Sequence, residues 1–464
     1  MNRQIPSTVL ILALLYAVAA PAAPCPSAQT AETPAPGLKH LVLDKGEVAA
    51  ATSYRILLGV FDSQSEADQM LDRLRKDGFS AVPDADGTVY RIVIPGIPRR
   101  AEAEDMRTRL IDRGFSPPLE IQEIQSGLTD PEGPWRINVL EVDPKRIEVR
   151  VAHAYDAAIG LETTAALALR RGALAAINGG YFRMTGLLAG DSQGALLIEG
   201  RLLSEPDRGR AAVGFYDRDG IVRSVFGRLG FRGEVRLAKG EAIPLDGINR
   251  QRGSSEIVLY TPEFHRTTLS SSEGAEVVIE NGRITEIRQG AGSSVIPSNG
   301  MVLSIGSEQA QNLLPRLRRG ETVSVETDLI PLLPDPEGEW WKTEYIVSGG
   351  PLLLWNGRRL EEPEKESVSR VFFLARHPRT AVGVRADGTL LFVTVDGRQP
   401  GESIGMSIPE LTDLMLELGS QSAVNLDGGG STTMVIDGRI VNSPSGSKGP
   451  RRNADAILMF PRVP

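Results

Sequence analysis

The chain changes its hydrophobic rhythm near residue 134. Between about residues 52 and 125, Ala67, Met70, Leu71 and Leu74 stand at helical spacing, and Ala103, Met106 and Leu110 follow the same rule. Such spacing lays an apolar stripe along one helix face. Short repeats frame both helices. Tyr54-Arg-Ile recurs as Tyr90-Arg-Ile, and Gly78-Phe-Ser as Gly114-Phe-Ser, each 36 residues on. Each copy reads strand, helix, strand, so the region predicts a small ferredoxin-like βαββαβ unit. Val82-Pro-Asp-Ala-Asp-Gly is its expected central turn.

From about Pro134 onward, short apolar runs recur between glycine turns. Examples are Arg136-Ile-Asn-Val-Leu-Glu-Val, Ile147-Glu-Val-Arg-Val, Val277-Val-Ile-Glu and Thr389-Leu-Leu-Phe-Val-Thr-Val. Asn281-Gly and Asp387-Gly are hairpin signals. Two helical patterns interrupt the strands, Thr163 to Arg171 and Ile408 to Leu418. Ser407 and Pro409 suit the start of the second, and Gly419 suits its stop. The fold class is therefore α+β: a small ferredoxin-like domain, then a large mixed-sheet domain over residues 134–462.

The N-terminus follows neither rhythm. One basic residue, Arg3, precedes an apolar run from Val9 to Ala20 and small residues to Ala23. The run is short for a bilayer span and fits a secretory signal over 1–23, which places the protein in the periplasm or cell envelope with no span after cleavage. Cys25 is the only cysteine, so no intramolecular disulfide forms. Pro24 before it does not match a lipoprotein signal. Residues 24–51, rich in Ala, Pro, Ser and Thr, read as a flexible linker. The net charge of −8 carries no basic footprint for nucleic acid.

Four glycine-rich segments hold the candidate chemistry. They are Ala176-Ile-Asn-Gly-Gly-Tyr-Phe, Val347-Ser-Gly-Gly-Pro, Pro378-Arg-Thr-Ala leading to Val395-Asp-Gly-Arg-Gln, and Asn425-Leu-Asp-Gly-Gly-Gly-Ser. Singly, each is more often a bulge or tight corner than a site. Together they put Asn178, Arg379, Asp396, Arg398, Asn425 and Asp427 at strand ends. Three consecutive glycines are costly to order, and a chain that keeps them needs bare backbone close to something, often an anion.

Two resemblances follow from these motifs. Residues 52–125 resemble a SPOR domain through Tyr54-Arg-Ile-Leu-Leu-Gly-Val-Phe and the repeated Gly-Phe, although Ile94-Pro-Gly-Ile-Pro departs from its pattern. This implies binding to peptidoglycan glycan strands lacking stem peptides. Residues 134–462 look like the phosphodiester glycosidase family, that of the mannose 6-phosphate uncovering enzyme, whose bacterial relatives are linked to exopolysaccharide. The match is densest from Pro378 to Asn442, and Ser348 stands where the family usually has a third glycine.

The second resemblance implies hydrolysis of a sugar-1-phosphodiester, such as an N-acetylglucosamine-1-phosphodiester, between the anomeric carbon and the phosphate oxygen. That chemistry needs a carboxylate as base or nucleophile, for which Asp427 and Asp396 are the candidates. Arg379 and Arg398 are candidate phosphate clamps. Backbone N–H groups of Gly428, Gly429 and Gly430 are candidate donors, with Ser431, Gly349 and Gly350 beside them. Asn178 and Asn425 would fix sugar hydroxyls, and Tyr181 would stack on the ring. Asp396 and Asp427 could share a divalent cation with Asn425 and substrate oxygens. The four histidines show no zinc-ligand spacing, and His377 reads as incidental. The bland alternatives are turn or surface roles for Asp396 and Arg398. The competing functions are a metal-dependent phosphodiesterase that cuts P–O, and a non-catalytic envelope-glycan binder.

Overall fold

In a computed structural model the fold is described for residues 30–46, 52–61, 63–86, 89–116, 119–125, 133–207, 209–360, 362–399, 401–445 and 449–462. The expected signal sequence and Cys25 lie outside them. Residues 30–45 overturn the linker expectation. They form two strands, β1 (Thr30–Ala35) and β2 (Leu38–Lys45). In β2, Leu38, His40, Leu41 and Leu43 are buried. The His40 ring bonds Asn138 Oδ1 at 3.0 Å and Glu32 Oε1 at 2.9 Å. An apolar strand had been hidden by the Pro- and Ala-rich sequence around it.

The chain then builds the small unit from β3 (Thr52–Phe61), α1 (Gln64–Lys76), β4 (Val82–Asp86), β5 (Val89–Ile97), α2 (Arg100–Asp112) and β6 (Glu120–Gln125). The strand order is β4-β5-β3-β6, so the βαββαβ expectation holds. The segment read as its central turn is mostly the strand β4. Tyr54, Ile56 and Leu58 of β3 and Ile92 and Ile94 of β5 pack under the helices. The repeated phenylalanines, Phe79 and Phe115, meet edge to face at 5.8 Å. Gly78 and Gly114 stop the two helices at φ 82° and 78°, a conformation glycine adopts without steric cost. Alternation along the strands sends Leu57 and Val93 to the opposite face.

After β6 the chain returns as β7 (Trp135–Val142), antiparallel to β2 with Leu38 opposite Val142 and Lys45 opposite Trp135. The small unit is therefore an insertion between two neighbouring strands of the large domain. That sheet has eight strands, in the order β1, β2, β7, Leu390–Val395, Arg379–Arg385, Ser420–Asn425, Leu352–Trp355 and Arg358–Arg359, and every pairing is antiparallel. On one face lies the helix Ile408–Glu417, started by Ser407 and Glu410 in a capping box. Its Leu411, Leu414 and Met415 bury against Val393, Ala381 and Ala423. Each such side chain contributes about 1.5–3 kcal/mol.

The other face packs on two further sheets through Val142, Val382, Phe392 and Val424. One of these sheets holds the strand Ala175–Asn178 between Met434–Ile436 and Asp455–Pro461. The expected helix before it is Thr164–Arg171, capped by the Thr163 side chain and stopped by Gly172. The strand Ile221–Leu237 leaves the third sheet and pairs with Val323–Pro331, carrying the chain into an outer lobe with its own core. No described helix is long and apolar enough to cross a membrane.

Candidate active site

Asn178 and Asn425 end strands in two different sheets, and a seam forms where those ends meet. Asn178 closes the seam. Its Nδ2 donates to the Asp427 carbonyl at 2.8 Å, and its Oδ1 accepts from Thr380 Oγ1 at 2.8 Å and Thr433 N at 3.0 Å. Both ends of the amide are spent, so Asn178 sets the loop rather than a sugar. Asn425 behaves similarly on its donor side: Nδ2 lies 2.7 Å from Gly350 O and 3.0 Å from Tyr181 Oη. Its Oδ1, however, is buried without a hydrogen-bond partner among the described residues.

The glycines are required by what lies against them. A Cβ on Gly428 would sit 2.6 Å from Pro378 O. One on Gly429 would sit 3.3 Å from Arg398 Nη2, and one on Gly430 would sit 2.7 Å from Arg451 Nη2. Two guanidinium groups thus lie against the bare backbone of one turn. The N–H groups themselves are mostly occupied: Gly428 N donates to Asp427 Oδ1 at 2.9 Å and Gly429 N to Pro378 O at 2.8 Å. The expectation of three free donors fails for these two. Gly349 and Gly350 serve close packing, since a Cβ on Gly349 would lie 2.1 Å from Asn425 O and Gly350 N bonds that same oxygen.

Asp427 faces this turn. Burial pushes its carboxyl up to about 6, opposed by the Ser431 hydroxyl, the Arg451 charge and the Gly428 N–H, while Asp455 pushes it further up. Ser431 is fully buried and also receives Arg451 Nη1 at 3.4 Å. Tyr181 stands across the seam, donating to Gly350 O at 2.9 Å. Burial, and then the Asp427 charge, hold its phenol well above the usual range. The guanidinium of Arg210 lies 5.2 Å from the Tyr181 ring centre, a cation–π contact.

Two sequence candidates have other work. Arg379 is 1% exposed and donates to the carbonyls of Met406, Phe372 and Ala375. It is a buried brace, with its pKa lowered to about 10 by burial. Asp396 is also 1% exposed. Its carboxylate accepts from Asn442 Nδ2 at 2.9 Å and from Ser443 N at 3.0 and 3.1 Å. Its strongest charged influences are Arg136 and Glu402, whereas those on Asp427 are Arg451 and Asp455. With its oxygens so used, Asp396 does not fit the cation shared with Asp427 and Asn425. Among the described residues no three His, Cys, Asp or Glu side chains gather as metal ligands.

Sequence reasoning missed Arg451, Arg210 and His377. Arg451 follows Gly449-Pro450 in the next loop, and only the fold reveals its place over Gly430. His377, read as incidental, lies with Nδ1 2.9 Å from Arg398 Nη2 and Nε2 2.8 Å from Glu120 Oε1. Beyond Tyr181 opens a cleft of about 1060 Å³, bordered by Arg183, Asp191, Gln193, Arg210 and Phe231.

Similarity to known proteins agrees with this anatomy. Residues 273–460 match the phosphodiester glycosidase family model, and residues 50–118 match the SPOR domain model. The mouse N-acetylglucosamine-1-phosphodiester alpha-N-acetylglucosaminidase is 27% identical over 178 residues, 36% of this chain and 33% of the enzyme. An SPbeta prophage protein of Bacillus subtilis, YomE, is 43% identical over 70 residues, 15% of this chain and 11% of its own length. The chain thus spans a third or less of these two relatives. A crystal structure from Burkholderia pseudomallei K96243, of a protein provisionally named as exported, superimposes with a TM-score of 0.77 at 26% identity, covering 95% of this chain and 99% of that one. A region matching the SPOR domain is thus followed by a region matching the phosphodiester glycosidase family, in a mixed α+β fold.

Proposed function

We propose that this protein is an exported hydrolase that cleaves a sugar-1-phosphodiester at the Asp427 site. The observation that carries the reading is the single turn Asp427–Ser431, where one half-buried carboxylate and two guanidinium groups, Arg398 and Arg451, converge on bare glycine backbone. A phosphodiester needs cationic forks for its oxygens and a carboxylate near the anomeric carbon. Asp427 acts as nucleophile or as base for the attacking water. Phosphate is already a good leaving group, so the reaction does not depend on a second carboxylate as strong acid. Tyr181 borders the sugar, and Ser431 and Arg451 hold the Asp427 charge.

The likeness to the mouse enzyme supports N-acetylglucosamine as the sugar, and the SPOR domain supports peptidoglycan as the anchoring polymer. Together with the signal-like N-terminus, these support a substrate in an envelope polymer or glycolipid, in the periplasm. The cleft beyond Tyr181 has room for the group esterified to the phosphate. Because β2 belongs to the large sheet, the test uses the whole mature chain. Supplied with N-acetylglucosamine 1-(methyl phosphate), it releases free N-acetylglucosamine, and Asp427→Asn does not. A folded wild-type chain that binds the ester without turnover points instead to a glycan-binding protein.

A further inference from the structure

We propose that the inserted SPOR domain is part of the glycosidase site, because its Glu120 positions Arg398 through His377. The contact is a chain of two hydrogen bonds across the domain boundary. Glu120 Oε1 lies 2.8 Å from His377 Nε2, and His377 Nδ1 lies 2.9 Å from Arg398 Nη2. A guanidinium only donates, so Nδ1 must be the bare nitrogen and Nε2 must carry the proton. Glu120 accepts that proton's hydrogen bond, fixes the tautomer and turns the ring. Nδ1 then holds Arg398, whose guanidinium lies against Gly429.

Two further observations tie the domains at this point. Arg100 Nη1 of the SPOR domain reaches the Arg398 carbonyl at 3.5 Å. Leu57 and Val93, on the sheet face away from the SPOR helices, share a buried cluster with Val371 of the glycosidase domain. Arg398 itself sits at φ 60°, a left-handed conformation that a non-glycine residue keeps only when neighbours enforce it. The SPOR domain is therefore a wall of the site as well as an anchor.

The groups facing His377 are Glu120 from the SPOR domain and Arg379 and Arg398 from the glycosidase domain, beside the Phe372 ring. Burial holds its pKa below the ordinary 6.5, Glu120 opposes that, and the two arginines add to it. The ring is thus neutral at neutral pH, as the bond to Arg398 demands. Acid breaks the relay, because a proton on Nδ1 would face a guanidinium N–H.

The inference rests on Arg398 binding phosphate, so its test has one arm independent of turnover. Histidine labelled with ¹³C at Cε1 reports the His377 titration in the whole chain, assigned with His377→Gln. Glu120→Gln keeps an acceptor and loses the charge, so the His377 pKa falls further. An unchanged titration overturns the proposal. In the kinetic arm, Glu120→Ala raises KM for the phosphodiester about tenfold with a smaller change in kcat, and Glu120→Gln recovers much of that loss. Wild-type KM in a folded Glu120→Ala protein also overturns it. If the wild type turns over no sugar-1-phosphodiester but the titration shifts as stated, the relay stands and the glycosidase reading falls.

Discussion

Asp396 and Asp427 make a controlled pair. They follow the strands on either side of Arg379–Arg385, and burial raises each to about 6. Asp396 spends its carboxylate on Asn442 and Ser443 and closes a loop. Asp427 is held by one N–H, one hydroxyl and the Arg451 charge, beside the Arg398 and Arg451 guanidinium groups. A perturbed pKa marks both. The partners separate an anchor from a reactive group.

Replacing each member breaks the pair most sharply. Asp427→Asn is expected to lower kcat/KM by about 10³-fold or more, read from sugar release. The same change should stabilise the fold. A carboxyl raised from 3.8 to about 6 makes its contribution below pH 4 and loses it as pH rises through 6. A neutral amide avoids that loss, so thermal melts at pH 8 should show a gain of about 1–3 kcal/mol that fades towards pH 4. Arg451→Ala removes a guanidinium from the phosphate side and should cost about 10²-fold in kcat/KM. Lysine should recover only part of that, since it cannot form the planar fork.

Two smaller effects sharpen the contrast. If ionised Asp427 is the reactive form, kcat/KM should fall about tenfold per unit as pH drops below about 6. Asp396→Ala orphans Ser443 N and leaves Asn442 Nδ2 only the Thr432 carbonyl, and should lower stability by about 1–3 kcal/mol in denaturant titration. Its kcat/KM at 25 °C should fall far less than that of Asp427→Asn.

Local patterns were legible where the signal was local. The capped helix at 408–417, the Asn281-Gly hairpin and the two-helix repeat each depend on neighbouring residues, and the structure has all three. The strand β2 was missed because its partner β7 lies beyond an inserted domain, and its surroundings read as linker. The site was half legible. Asp427 and its glycines stood out, yet nothing in the sequence says that Gly430 makes room for Arg451 or that His377 bonds Glu120. Asn178, Arg379 and Asp396 have polar side chains at strand ends, as a pocket requires. Burial turned all three into braces.

The central claim is cleavage at the anomeric carbon by the Asp427 site, and hydrolysis in ¹⁸O-labelled water tests it directly. The account predicts label in the released sugar and none in the phosphomonoester. Label in the phosphate would mean attack at phosphorus, and would contradict the glycosidase assignment of Asp427, Arg398 and Arg451.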